Sequence, residues 1–205
     1  WSPGLRLAVA TAITQRWIGN RLWIKPGDEQ SEADAYWFSE GVARWFAATA
    51  LLHGGLLSLD DYAAEMNGLL AITVTSKDRA LGQAKLSKRY RTARQGLPLM
   101  VARGALYALE LDARLRADKT SSLAEVLAKM LRHVARDRGQ VPLAKWHQAI
   151  DAPGLATSSA ALHSSWIIEG SQPKPSQGAL SSCFRRVRGS YDVFALGFDS
   201  RATMR

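Results

Sequence analysis

At 205 residues, 47% of them hydrophobic and 22% charged, the chain has the size and composition of one ordinary globular domain, or of one domain with an appendage. No apolar run approaches the roughly 18–20 residues needed to span a bilayer, and the single cysteine, Cys183, excludes an internal disulfide framework and a cysteine-based zinc site. The net charge of +9 reads as a basic solvated surface rather than a nucleic-acid footprint, because the basic stretch 77–94 offers only one aromatic, Tyr90, for base stacking.

The chain opens on Trp1 with no basic segment leading into an apolar one, so it reads as a fragment or a processed form. Residues 5–20 show apolar spacing for a helix through Leu5, Ala8, Ala12 and Ile13, with Gly19-Asn20 as its stop. A loop follows over 21–30, marked by Pro26, Gly27 and Asp28. Ser31 caps the next helix, and Glu32 and Asp34 suit the positive end of its dipole. That helix runs to His53 and carries Tyr36, Trp37, Phe38, Trp45 and Phe46, so more than one of its faces must be buried.

Gly54-Gly55 ends it, and Ser58-Leu59-Asp60-Asp61 opens another in the manner of a capping box. The stretch 77–95 is basic, with some helical character that would turn Ala80, Leu81, Ala84 and Leu86 inward. Leu97 to Leu115 is the most apolar helix, with Arg103, Tyr107, Glu110 and Arg114 on one face. Ser122 to Glu125 forms a second capping box, ahead of an amphipathic run through Val134. A shorter helix spans 142–150. Residues 152–178 are rich in Ser, Gly and Pro and read as loop, and 183–198 reads as a β-hairpin turning at Gly189-Ser190.

Two stretches carry a sharper pattern. Thr11 to Asn20 runs T-A-I-T-Q-R-W-I-G-N, and Trp37 to Gly41 reads W-F-S-E-G. Together they resemble the frame of the gluzincin metallopeptidases, including the aminopeptidase N-like and glycyl aminopeptidase families. There, H-E-x-x-H-x-W-x-G-N on one helix meets W-x-x-E-G on the next. Trp17, Gly19, Asn20, Trp37, Glu40 and Gly41 match the frame. S-L-D-D-Y at 58–62 and R-G-A-L-Y-A-L-E-L-D-A-R-L-R at 103–116 are similar to later segments of the glycyl aminopeptidase family, in the same order.

The resemblance covers residues 5–138. It implies a mainly α fold: the helical subdomain of a thermolysin-like catalytic domain, here over 1–151. A loop-rich extension, 152–205, would pack on the same domain with its short C-terminal β-hairpin. It also implies a β-rich half of the site ahead of Trp1, and export, which is frequent among similar bacterial proteins.

The family's zinc chemistry needs two histidines four residues apart, a Glu beside the first as general base, and a Glu from the next helix. This chain has Thr11 and Gln15 at the histidine positions and Ala12 at the base position; Glu40 alone remains. A full structural zinc site is worth about 10–16 kcal/mol, which one carboxylate and two neutral oxygens do not approach. The tyrosine that stabilises the oxyanion in the family is replaced by Val101, removing a group worth about 10²–10³ in rate.

The resemblance therefore implies a zinc-free, catalytically inactive relative without a cofactor. Thr11, Ala12, Gln15, Glu40, Arg44, Val101 and Arg103 would line a vestigial cleft that takes a peptide or protein ligand, or serves as scaffold. Glu40 is expected to pair with Arg44, four residues on, and Trp17, Trp37 and Trp45 to be core. Gly41 and Gly104 would allow close helix contact. His53, His133, His147 and His163 lack ligand spacing and read as surface or helix-end residues. Two other readings stay open: a hydrolase using Glu40 with Thr11, Gln15 or Arg103, and a basic module for nucleic acid or other anions.

Overall fold

The computed structural model describes residues 1–25, 31–118, 121–134, 139–151, 158–188 and 192–196. The protein is mainly helical, with eight α-helices and two small two-stranded sheets among the described residues. The helices are α1 (Pro3–Gln15), α2 (Ala43–His53), α3 (Leu59–Thr75), α4 (Gln83–Ala93), α5 (Leu97–Ala117), α6 (Leu123–Val134), α7 (Leu143–Ile150) and α8 (Ser159–His163). No helix among them is long and apolar enough to cross a membrane.

Helix α5 is the axis of the molecule. Every residue from Ala102 to Asp112 is buried, so polar Arg103, Tyr107, Glu110 and Asp112 must find partners inside. The aromatic segment 37–53, α3, α4, α6 and α8 pack around it. Local chemistry sets many of the helix starts. The Ser58 hydroxyl accepts from Asp61 N while Asp61 accepts from Ser58 N, and Ser122 and Glu125 repeat that exchange. Ser2 caps α1, with Pro3 in its first turn.

Three segments differ from the reading of the sequence. Within the stretch taken as loop over 21–30, β1 (Trp23–Lys25) pairs in parallel with β2 (Gln140–Pro142); Pro26, Gly27 and Asp28 lie outside the described residues. Such a pairing leaves no local trace, since its partner lies more than a hundred residues away. The helix assigned to 31–53 is three pieces: a 3₁₀ turn Glu32–Ala35, a π-helical turn Trp37–Val42, and α2. Within 152–178, α8 and a π-helical turn Ser164–Ile168 replace part of the expected loop. Leu162, Trp166 and Ile167 drive this, joining the same core as Trp37 and Leu106.

The basic stretch holds α4, with Leu86 buried and Leu81 half-buried; Ala80 and Ala84, expected inward, are exposed. Strands β3 (Phe184–Arg188) and β4 (Asp192–Leu196) pair antiparallel as the alternation indicated. The turn at Gly189-Ser190 lies outside the described residues. Ala179, Leu180 and Phe184 bring the start of this extension into the main core.

Candidate functional site

The π-helical turn Trp37–Val42 holds W-F-S-E-G and meets two elements at once. An extra residue per turn changes which side chains share a face, and π turns concentrate at functional sites for that reason. Trp37 and Gly41 lie against α5: a Cβ on Gly104 would fall 1.8 Å from the Trp37 carbonyl oxygen, and one on Gly41 would fall 2.7 Å from Gly104 Cα. Ser39 and Glu40 face the end of α1 instead. Gly19, at φ +115°, brings its backbone against Ser39, where a Cβ would come within 2.9 Å of the Ser39 Cβ. The glycines of the frame are therefore packing requirements, as expected for Gly41 and Gly104.

Gln15 Nε2 donates to Glu40 Oε2, which joins the end of α1 to the π-helical turn. The Glu40 carboxyl is half-buried, and burial raises its pKa against the opposing pull of the Gln15 amide; Glu32 adds a smaller push upward. Thr11 sits one turn before Gln15 and donates its hydroxyl to Leu7 O at 2.7 Å, within its own helix. Ala12 is exposed. Among the described residues, no three His, Cys, Asp or Glu side chains converge as metal ligands do.

The other cleft candidates lie elsewhere. Arg44 does not pair with Glu40, because the π turn carries the carboxylate to α1; its Nε donates to Glu65 Oε1 of α3 at 2.5 Å. Val101 lies beside that pair, in a shallow groove with Leu69 and Pro98. Arg103 is 1% exposed, and its guanidinium donates to Leu81 O and Arg79 O, each at 2.6 Å, and to Gly170 O at 2.9 Å. It is a clamp on two loops. Of the seven candidates, the structure joins Gln15 and Glu40, with Thr11 and Ala12 on the same helix.

Trp37 and Trp45 are core, at 3% and 1% exposure, but Trp17 is 48% exposed with the Arg21 guanidinium over its ring. Gly19 turns the chain just after Trp17, so Ile18 takes the inward place. Leu5, Val9 and Ile13 form an outward apolar stripe along α1, spaced every fourth residue, and Trp1 and Trp17, also exposed, flank the helix.

A second polar cluster was not legible in the sequence. His147 Nδ1 lies 2.9 Å from Ser159 Oγ, Asp151 accepts from Ser159 N at 2.7 Å, and Tyr107 OH donates to Ser159 O at 3.2 Å. Despite the residue types, this is no nucleophile. Ser159 is 1% exposed, and Asp151 bonds the Ser159 backbone rather than orienting His147. The cluster ties α7 to α8 over α5.

His163, expected at the surface or at a helix end, closes α8 and is 4% exposed, with its ring 4.7 Å from that of Trp37 and 5.4 Å from that of His147. Burial, and then the neighbouring His147, push it down to about 4. The unfolded chain then binds a proton between about pH 6.5 and 4 that the folded chain refuses, so stability falls as pH drops through that window. The loss at pH 4 is about 3 kcal/mol. Urea midpoints measured from pH 7 to 4 check this, and His163→Phe is expected to flatten much of the slope.

No protein-family model and no curated protein matches the chain.

Proposed function

We propose that the chain is a zinc-free, catalytically inactive relative of the gluzincin aminopeptidases whose residual cleft binds a peptide or protein segment or serves as scaffold. The hydrogen bond from Gln15 to Glu40 carries the reading. It sets the one carboxylate kept from the motif against the residue standing in for a histidine, as the family's frame requires. Ala12 offers no base to a metal-bound water, and Thr11 spends its hydroxyl on its own helix. The exposed stripe of Leu5, Val9 and Ile13 lies on the opposite face of the same helix and supplies apolar area for the scaffold role, apart from the cleft.

Elemental analysis after dialysis against zinc, paired with an assay on aminoacyl anilides, tests the loss of chemistry. Substoichiometric zinc and no hydrolysis are expected; stoichiometric zinc, or hydrolysis abolished by Glu40→Ala, overturns the reading. Restoration tests the frame itself. Thr11→His with Gln15→His places two imidazoles one turn apart beside Glu40, and one equivalent of zinc is expected to bind and to raise the melting temperature. If the folded double variant takes no zinc, the kinship is wrong.

A further inference from the structure

Helices α6 and α7 pack side by side, and the seam between them opens into a groove. Its wider part, about 650 Å³, lies between the second half of α6, β2 and the first turns of α7. Its narrower part, about 320 Å³, lies between the first half of α6 and the end of α7. Lys129, Met130 and Ala149 line both parts, so the two are continuous. The floor is apolar from end to end: Val126 and Ile150 lie in the narrow part, Val134 and Val141 in the wide one, and half-buried Met130 where they join.

Charge is distributed unevenly along this groove. Lys129, His133 and Lys145, all exposed, line the wide part, and no carboxylate is among its described lining residues. Lys145 Nζ donates to the neutral amide of Gln148 at 3.1 Å, and neither lysine enters an ion pair among the described residues. The carboxylates lie towards the other end. Asp151 lines the narrow part and accepts from Ser159 N at 2.7 Å. Glu125, one turn before Lys129, is held at the start of α6 by Ser121 Oγ at 2.7 Å and Ser122 N at 3.3 Å. An apolar trough with cations at one end and a carboxylate at the other suits a molecule charged at one end only. A peptide laid along that floor would bring backbone N–H and C=O groups that need partners, whereas an alkyl chain brings none.

We infer that the α6–α7 groove binds a free single-chain carboxylate, with its head beside Lys129 and Lys145 and its alkyl tail over Met130 towards Ile150. Both parts of the groove have the size of small-molecule sites. Burial of the tail supplies most of the affinity, while the lysines choose the sign of the head and the direction in which the chain lies. Lysine stems also cover apolar surface while their ammonium groups stay in water, so the same residues shield the tail and meet the head. The inference rests on the groove and its charges, and is independent of the kinship proposed above.

Octanoate, octanol and octylammonium share one tail and differ in the charge of the head. Each is titrated, below its micelle-forming concentration, into the chain carrying ¹³C-methyl methionine, and the Met130 methyl resonance is followed by NMR. Met66 and Met100, both 0% exposed, serve as internal controls. Octanoate is expected to shift the Met130 resonance saturably and to bind about fivefold more tightly than octanol, with octylammonium weaker still. Lys129→Ala with Lys145→Ala, both at the surface, is expected to remove the preference for octanoate and leave octanol nearly unchanged. Ala149→Trp, which fills the groove where its two parts meet, is expected to abolish binding of all three. A Met130 resonance unmoved by octanoate, equal affinities for the three heads, or octanoate binding that survives Ala149→Trp overturns the inference. A dimer in sedimentation velocity that Ala149→Trp dissolves would assign the groove to a second copy. A Met130 shift with a glutamate-rich amphipathic peptide, but not with octanoate, would assign it to a protein partner. Either result also overturns the inference.

Discussion

Gly104→Ala is expected to cost about 3 kcal/mol or more, a large share of the roughly 5–15 kcal/mol that holds an ordinary domain folded. The added methyl would sit 1.8 Å from the Trp37 carbonyl oxygen and 2.6 Å from its carbon. Both are backbone atoms, so no rotamer change relieves the clash; α5 and the π turn must separate. That contact is the broadest between any two elements of the fold, and it also sets where Glu40 sits. Gly68→Ala in α3 is the control. Gly68 is exposed, with nothing within 4 Å of its added Cβ, so the helix gains about 0.5–1 kcal/mol from the lost backbone entropy. Urea denaturation followed by far-UV circular dichroism measures both, and a Gly104→Ala chain as stable as the parent would refute the packing argument.

Arg103→Met is expected to cost about 3–5 kcal/mol, chiefly through the carbonyls it strands rather than through the charge it removes. Burial alone lowers the guanidinium to about 10, which marks desolvation as a cost, and among the described residues no carboxylate pairs with it. Three carbonyl acceptors, from Leu81, Arg79 and Gly170, offset that cost. Methionine fills the volume without donating to any of them. The effect should be local as well as global: amide exchange in 79–82 and around Gly170 is expected to accelerate more than in α6. Arg103→Lys, able to satisfy fewer of the three, is expected to fall between parent and Met. Uniform protection loss across the chain would argue against a clamp on two loops.

Helix α1 joins the two halves of the functional question. Its inner face carries Gln15 to Glu40, and its outer face presents Leu5, Val9 and Ile13 to solvent, with Trp17 exposed just past its end. If the chain serves as a scaffold that docks a protein segment on that outer face, polar substitutions along the stripe weaken the contact and leave stability nearly unchanged, whereas Gln15→Ala leaves the half-buried Glu40 carboxylate without its amide donor.

The sequence alone determined those features whose causes are local. Ser58 with Asp61, and Ser122 with Glu125, mark helix starts because a cap and its partner lie three residues apart. α5 and α6 were legible from apolar content and spacing, and the β3–β4 pairing from alternation around a turn. The contacts of Gln15 with Glu40 and of Gly19 with Ser39, by contrast, have no local cause.

Tertiary structure decided the rest, because the deciding partners are distant in the chain. A π turn is rare and has no sequence signature of its own, and this one lies where Gly104 packs against Trp37. That turn moves Glu40 away from Arg44, its neighbour by helical spacing, and onto Gln15. The same logic buries His163 against Trp37, exposes Trp17 ahead of the turn at Gly19, and pairs 23–25 with 140–142. Spacing says which residues share a helix face; only packing across the chain says what that face meets.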